Sequence, residues 1–122
     1  MILKKNKKFN TKSKQNTSIV LIDKIELQKN EQITFFEKLS GKTREYDVVK
    51  KSWGYYATPS INKRLKKFHY ECALINNNQN KFFICLVSRE MKKQFRLYLK
   101  KDEQELVCWL NDKNLKKIQN LK

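Results

Sequence analysis

From Ser18 to Leu27 the chain is apolar and β-branched and closes on the alternation Ile25-Glu26-Leu27, which predicts a strand. Gln32–Glu37 predicts a second strand, Ser40-Gly41-Lys42 a turn, and Arg44–Lys50 a third strand. Trp53–Ala57 is a further short strand, or the same one carried past Gly54 on a bulge. Thr58-Pro59 then reads as a helix N-cap followed by proline at the first helical position. Ile61, Leu65 and Phe68 recur at i, i+4 and i+7, one apolar stripe of a helix of about ten residues. Tyr70–Ile75 and Lys81–Val87 are apolar runs joined by five amides, Asn76 to Asn80, which suit a hairpin turn. Ser88 opens a second helix that runs to about Lys101, with Met91, Phe95, Tyr98 and Leu99 on its apolar face. Leu106–Leu110 is a last strand. Lys113–Lys122 is a terminal helix with Leu115, Ile118 and Leu121 on one side.

From about residue 44 to 110 the predicted order is β-α-β-β-α-β. That is the split βαβ, or ferredoxin-like, arrangement: an antiparallel sheet with both helices on one face, here preceded by extra N-terminal strands. In that topology the first and third strands lie at the sheet centre. Lys81–Val87, apolar on both faces, fits a central strand covered on both sides. The expected class is α+β, one domain over 17–122 with a terminal helix at 113–121. Residues 1–16, with six lysines and no acid, are expected to form a disordered basic arm.

Charge changes the picture. The net charge is +16 in 122 residues, yet residues 16–50 carry six acids and six bases. The excess sits in the first 15 residues (+6), in 51–75 (+4) and in 76–100 (+5), so two of the basic blocks lie within sequence that predicts folded elements. A field of that sign draws polyanions. Lysine outnumbers arginine 24 to 4, which favours point-charge attraction over bidentate reading of bases or phosphates. Lys63, Arg64, Lys66 and Lys67 on one predicted helix, and Lys92, Lys93, Arg96 and Lys100 on the other, do not alternate with acids as salt-bridged faces do. Helices on one face of the sheet would merge them into one electropositive surface.

The element order is shared with the RNA-recognition motif, whose central strands present aromatics to bases. Where that family has K/R-G-F/Y-G/A-F-V-x-F/Y, this strand reads Lys81-Phe82-Phe83-Ile84-Cys85-Leu86-Val87. Bulky residues replace the small ones, so the likeness is one of topology. Trp53, Tyr55 and Phe83 are nonetheless the candidate stacking or pocket residues; otherwise they are core under the N-terminal strands.

Other chemistry is thin. Cys72, Cys85 and Cys108 are odd in number and widely spaced, and His69 is the sole histidine, so no metal site is expected and buried thiols in a reducing compartment are. Ser40-Gly41-Lys42-Thr43 ends like a phosphate-binding loop, but Phe36 stands where the first glycine belongs. His69 and Cys72, three apart, would face opposite ways on one strand. No catalytic set assembles and no cofactor is implied. The charged N-terminus lacks a following apolar region of about 7–15 residues, and Ile19–Ile22 is far too short to span a membrane.

The expectation is a cytoplasmic module that binds nucleic acid, RNA rather than DNA, through lysine–phosphate contacts. Lys63, Arg64 and Lys67 would act from the first helix, Lys92, Lys93 and Arg96 from the second, and Lys4, Lys5, Lys7 and Lys8 from the arm. The alternative is a non-catalytic interaction subunit that docks on an acidic protein or forms a homo-oligomer through its sheet. A third reading is a small enzyme or glycan-binding protein with a pocket near Trp53–Tyr56.

Overall fold

The structure, a computed structural model, describes residues 3–10, 18–57 and 59–121. It is an α+β fold of antiparallel ladders and short helices. Strand β1 (Leu3–Asn10) pairs with β2 (Ser18–Ile25). Strands β3 (Gln32–Leu39), β4 (Lys42–Lys51) and β5 (Gly54–Tyr56) form a meander. A one-turn helix, α1 (Arg64–Lys67), leads to β6 (Tyr70–Asn76) and β7 (Phe82–Ser88). A 3₁₀ turn at Arg89–Met91, then α2 (Lys92–Lys101), β8 (Glu105–Trp109) and α3 (Asp112–Gln119) complete the chain.

The strand–helix–strand–strand–helix–strand order over 44–110 is present, but the ladders divide it between two sheets. β4 pairs with β3 and β5, whereas β6 lies between β7 and β8. β7, expected at a sheet centre, is therefore an edge strand. Its two-sided apolar pattern reflects exposure at one end: Phe82, Phe83 and Ile84 are 60%, 45% and 54% exposed. Leu3–Asn10 lies opposite β2, where its backbone can complete β2's N–H and C=O groups.

Residues directly opposite across a ladder share a face. One face of the β7-β6-β8 sheet carries Ala73, Ile75 and Val87, which cluster with Leu99 and are flanked by Phe95 and Trp109. This is the best-buried core, and it holds α2 by the stripe its sequence predicts. Cys72, Ile84 and Leu86 point the other way and line a cavity with Tyr46, Ala57 and Ile61. The entry to α1 thus meets this sheet on the side opposite α2, rather than on one shared face.

α1 is shorter than its stripe suggests. Thr58, the expected cap, lies outside the described residues. Lys63 holds the N-cap position without a side-chain cap bond, and Ser60, upstream, braces the first turn: its Oγ accepts from the Arg64 N–H at 2.9 Å and its carbonyl from the Leu65 N–H at 3.1 Å. His69, in the left-handed region at φ 64°, ends the helix one residue past Phe68. Leu65 is fully buried between these two limits.

The β3–β4 turn at Ser40-Gly41 has φ of 54° and 73° with Leu39 paired to Lys42, a two-residue hairpin rather than a phosphate loop. In the amide-rich hairpin, Asn77 Oδ1 accepts from the N–H groups of Gln79 and Lys81, and Asn80 takes φ 59°.

Candidate nucleic-acid interface

Among the described residues, three ion-pair clusters join the elements, and they use most of the arginine. Arg44 on β4 is fully buried. Its Nη1 donates to the carbonyls of Phe68 (3.3 Å) and His69 (3.0 Å), and its Nη2 pairs with Glu90. The two carbonyls belong to the end of α1, where helical partners run out, so a buried cation takes their place. Arg64 Nε pairs with Asp47 at 2.5 Å and its Nη2 with Glu45 at 3.2 Å, while Thr34 Oγ1 donates to Asp47 at 2.8 Å. The Arg64 hydrogen bond holds the Asp47 carboxyl below the usual carboxylate range. Glu71 on β6 accepts from Lys92 Nζ at 2.8 Å and lies 3.6 Å from Arg89 Nε, and Lys92 sits 4.6 Å from the Trp109 ring centre.

These pairs sort the expected contact residues. Arg64 and Lys92 are engaged inside the fold. Lys63, Lys67, Lys93 and Arg96 are exposed. Lys63 and Lys67 flank α1, while Lys93 and Arg96 ride on α2, which approaches its sheet from the other side. Lys4, Lys5, Lys7 and Lys8 occupy β1 positions opposite Lys24, Asp23, Leu21 and Val20.

The aromatic candidates separate as well. Trp53, in the turn between β4 and β5, is 65% exposed, and Tyr55 and Tyr56 are 51% and 55% exposed, so none is a core residue. Trp53 meets Tyr56 edge-on, with ring centres 5.2 Å apart. Lys50 lies over Tyr55 at 4.8 Å and Lys51 over Tyr56 at 5.8 Å. Tyr55 also borders an apolar groove of about 630 Å³ between β2 and the β3-β4-β5 sheet. Phe83 stands in the other sheet, opposite Ile75. Lys50 and Lys51 were not among the predicted contacts, and Tyr56 entered only through the pocket reading at Trp53–Tyr56. Reading Ser52-Trp53 as a two-residue hairpin would have revealed them, because it sets Lys50 opposite Tyr55.

No family model, curated protein or solved structure matches this chain.

The remaining chemistry is structural. A cavity of about 190 Å³ is lined by Lys66, Glu71, Arg89, Trp109 and Asp112, among others, but Glu71 already meets two cations and Asp112 accepts from Asn62 at 2.8 Å. Burial pushes the Cys72 and Cys85 thiols up, and all three cysteines are unbonded. Tyr70, partly buried and hydrogen-bonded to Glu37 at 2.9 Å, is pushed up to about 12. Among the described residues, no three His, Cys, Asp or Glu side chains gather as a metal site, and no helix is long and apolar enough to cross a membrane.

Proposed function

We propose that the chain is a non-catalytic nucleic-acid-binding module, acting on RNA rather than DNA in the cytoplasm, through lysine–phosphate contacts. The observation that carries the reading is the division of labour between the two kinds of base. Of four arginines, Arg44, Arg64 and Arg89 are paired with acids, Arg44 buried and the other two at the surface, whereas the remaining positive charge is overwhelmingly lysine. Lysine attracts phosphate as a point charge and reads little sequence, so affinity should be strong, salt-sensitive and nearly uniform among sequences. The contacts are Lys63 and Lys67 beside α1, Lys93 and Arg96 on α2, and the Lys4, Lys5, Lys7 and Lys8 positions of the N-terminal segment. Arg64 and Lys92 belong to this reading as supports that hold the lysine-bearing elements in place. The ferredoxin-like arrangement of residues 44–110 is part of this proposal and rests on their order of elements.

The test is charge reversal away from the ion pairs. K63E/K67E and K93E/R96E should each weaken RNA binding and flatten its log–log salt dependence by about 0.7–0.9 for every phosphate no longer neutralised. Affinity unchanged in both would remove the helix lysines from the site.

One observation favours a second reading. Phe82, Phe83 and Ile84 leave an apolar end of β7 open on a sheet edge, a surface suited to an acidic protein partner or a second copy of the chain. Concentration-independent monomer mass by light scattering would rule out the second copy.

A further inference from the structure

We infer that the β4–β5 hairpin is a stacking site for unpaired bases, built on Trp53 and Tyr56 and flanked by Lys51. This rests on the nucleic-acid reading above and names the form of nucleic acid: single-stranded.

The hairpin lies at an edge of its sheet, so one side of β5 has no neighbouring strand among the described residues. Such a tip would ordinarily be polar, yet residues 53–56 hold three aromatics in four positions. Tyr55 has a structural use, since it borders the groove facing β2. Trp53 and Tyr56 rest on each other instead. Their perpendicular contact braces the edge of one ring against the face of the other and leaves 65% and 55% of the two residues in solvent. Two rings braced against one another and open to water form a platform on which a flat, uncharged base can stack.

The flanking charge identifies the kind of ring that would sit there. Residues 48–57 contain two lysines and no acid. Lys50 lies over Tyr55 on the groove face, whereas Lys51 extends over the Tyr56 ring and its Nζ donates to Asn30 Oδ1 at 3.2 Å, which holds the ammonium beside Tyr56. A base on Trp53 would place its own phosphate within reach of a cation already fixed in position. Base faces are open for this in single strands and occupied by neighbours in a duplex.

The experiment uses the full chain and three probes of equal phosphate number, about 12 nucleotides long: single-stranded RNA, the same backbone without bases, and duplex RNA. Trp fluorescence and anisotropy are read together. The base-bearing single strand should bind about tenfold or more tightly than the abasic strand, with quenching of Trp53. W53A/Y56A should lower single-strand affinity to the abasic level and leave abasic and duplex binding as they were, while W53F should retain most of the preference. Both aromatics are exposed, and circular dichroism of each variant confirms that it folds. Equal binding of all three probes by the unaltered chain would overturn the stacking site and leave the lysine–phosphate reading standing. No binding to any probe would overturn both. A blue shift of Trp53 on vesicles of anionic phospholipid, with no dependence on bases, would overturn the site in favour of a lipid surface.

Discussion

Arg44 is the residue on which the corner between β4, α1 and the Arg89–Met91 turn depends. Its full burial and three acceptors make it a bolt between segments far apart in sequence. Arg44→Met keeps the bulk but strips Glu90 and the Phe68 carbonyl of their Arg44 donor, the His69 carbonyl keeping the Arg89 N–H at 2.8 Å, and should cost about 2–3 kcal/mol in urea denaturation. Arg96→Met, at an exposed site, should stay within about 0.5 kcal/mol. Asp47 predicts a pH dependence. Its folded pKa lies below its unfolded value because Arg64 donates to the carboxylate. Its contribution is therefore complete above the unfolded value of about 3.9 and lost as pH falls through the folded one. Asp47→Asn should lower the melting temperature at neutral pH, and the gap from the unaltered protein should close in acid. His69 is also depressed, by burial first and then by Lys42, Arg44 and Arg89. The unfolded chain takes up that proton first, so melting temperature should begin to fall below the ordinary histidine value of 6.5. None of these pairings was legible in the sequence, because charge partners up to 46 residues apart leave no local pattern. The rarity of arginine was legible, and its weight against bidentate phosphate reading stands beside a structure in which three of the four are tied to acids.

At the scale of elements, period and turn chemistry carried much of the architecture. The Ser40-Gly41 and Asn76–Asn80 turns, the strands they join and the α2 stripe all lie close to where the pattern sets them. Leu99, central to that stripe, is 4% exposed against Ala73, Ile75 and Val87, and Leu99→Ala should cost about 2–5 kcal/mol by thermal or urea denaturation. A smaller loss would mean that the cavity collapses. Pairing was not legible. Alternation defines a strand and its faces but not its neighbours, so the two-sided β7 read as central while the ladder makes it an edge. The length of α1 was overread for a related reason. The stripe Ile61, Leu65, Phe68 counts apolar spacing, whereas helix length is set by the non-helical backbone at Lys63 and His69, where the chain enters and leaves.

Across the whole molecule the account turns on where the positive charge is not used. The acids Glu45, Asp47, Glu71 and Glu90 meet Arg44, Arg64, Arg89 and Lys92, and the lysine surplus is left to act outward. The net charge of +16 was visible from composition; its partition between fold and field was not. Because the entry to α1 and α2 meet their sheet from different sides, a bound strand would contact separate lysine groups. The losses from K63E/K67E and K93E/R96E should then add in free energy, as independent sites do. The most direct test of the central claim is anisotropy with single-stranded RNA, duplex DNA and a heparin fragment of equal charge, at about 50 and 200 mM salt. The account predicts binding to all three at low salt and a preference for RNA that survives at the higher one. Equal affinities that vanish together would contradict it, and would make the lysine surface a generic attractor of polyanions.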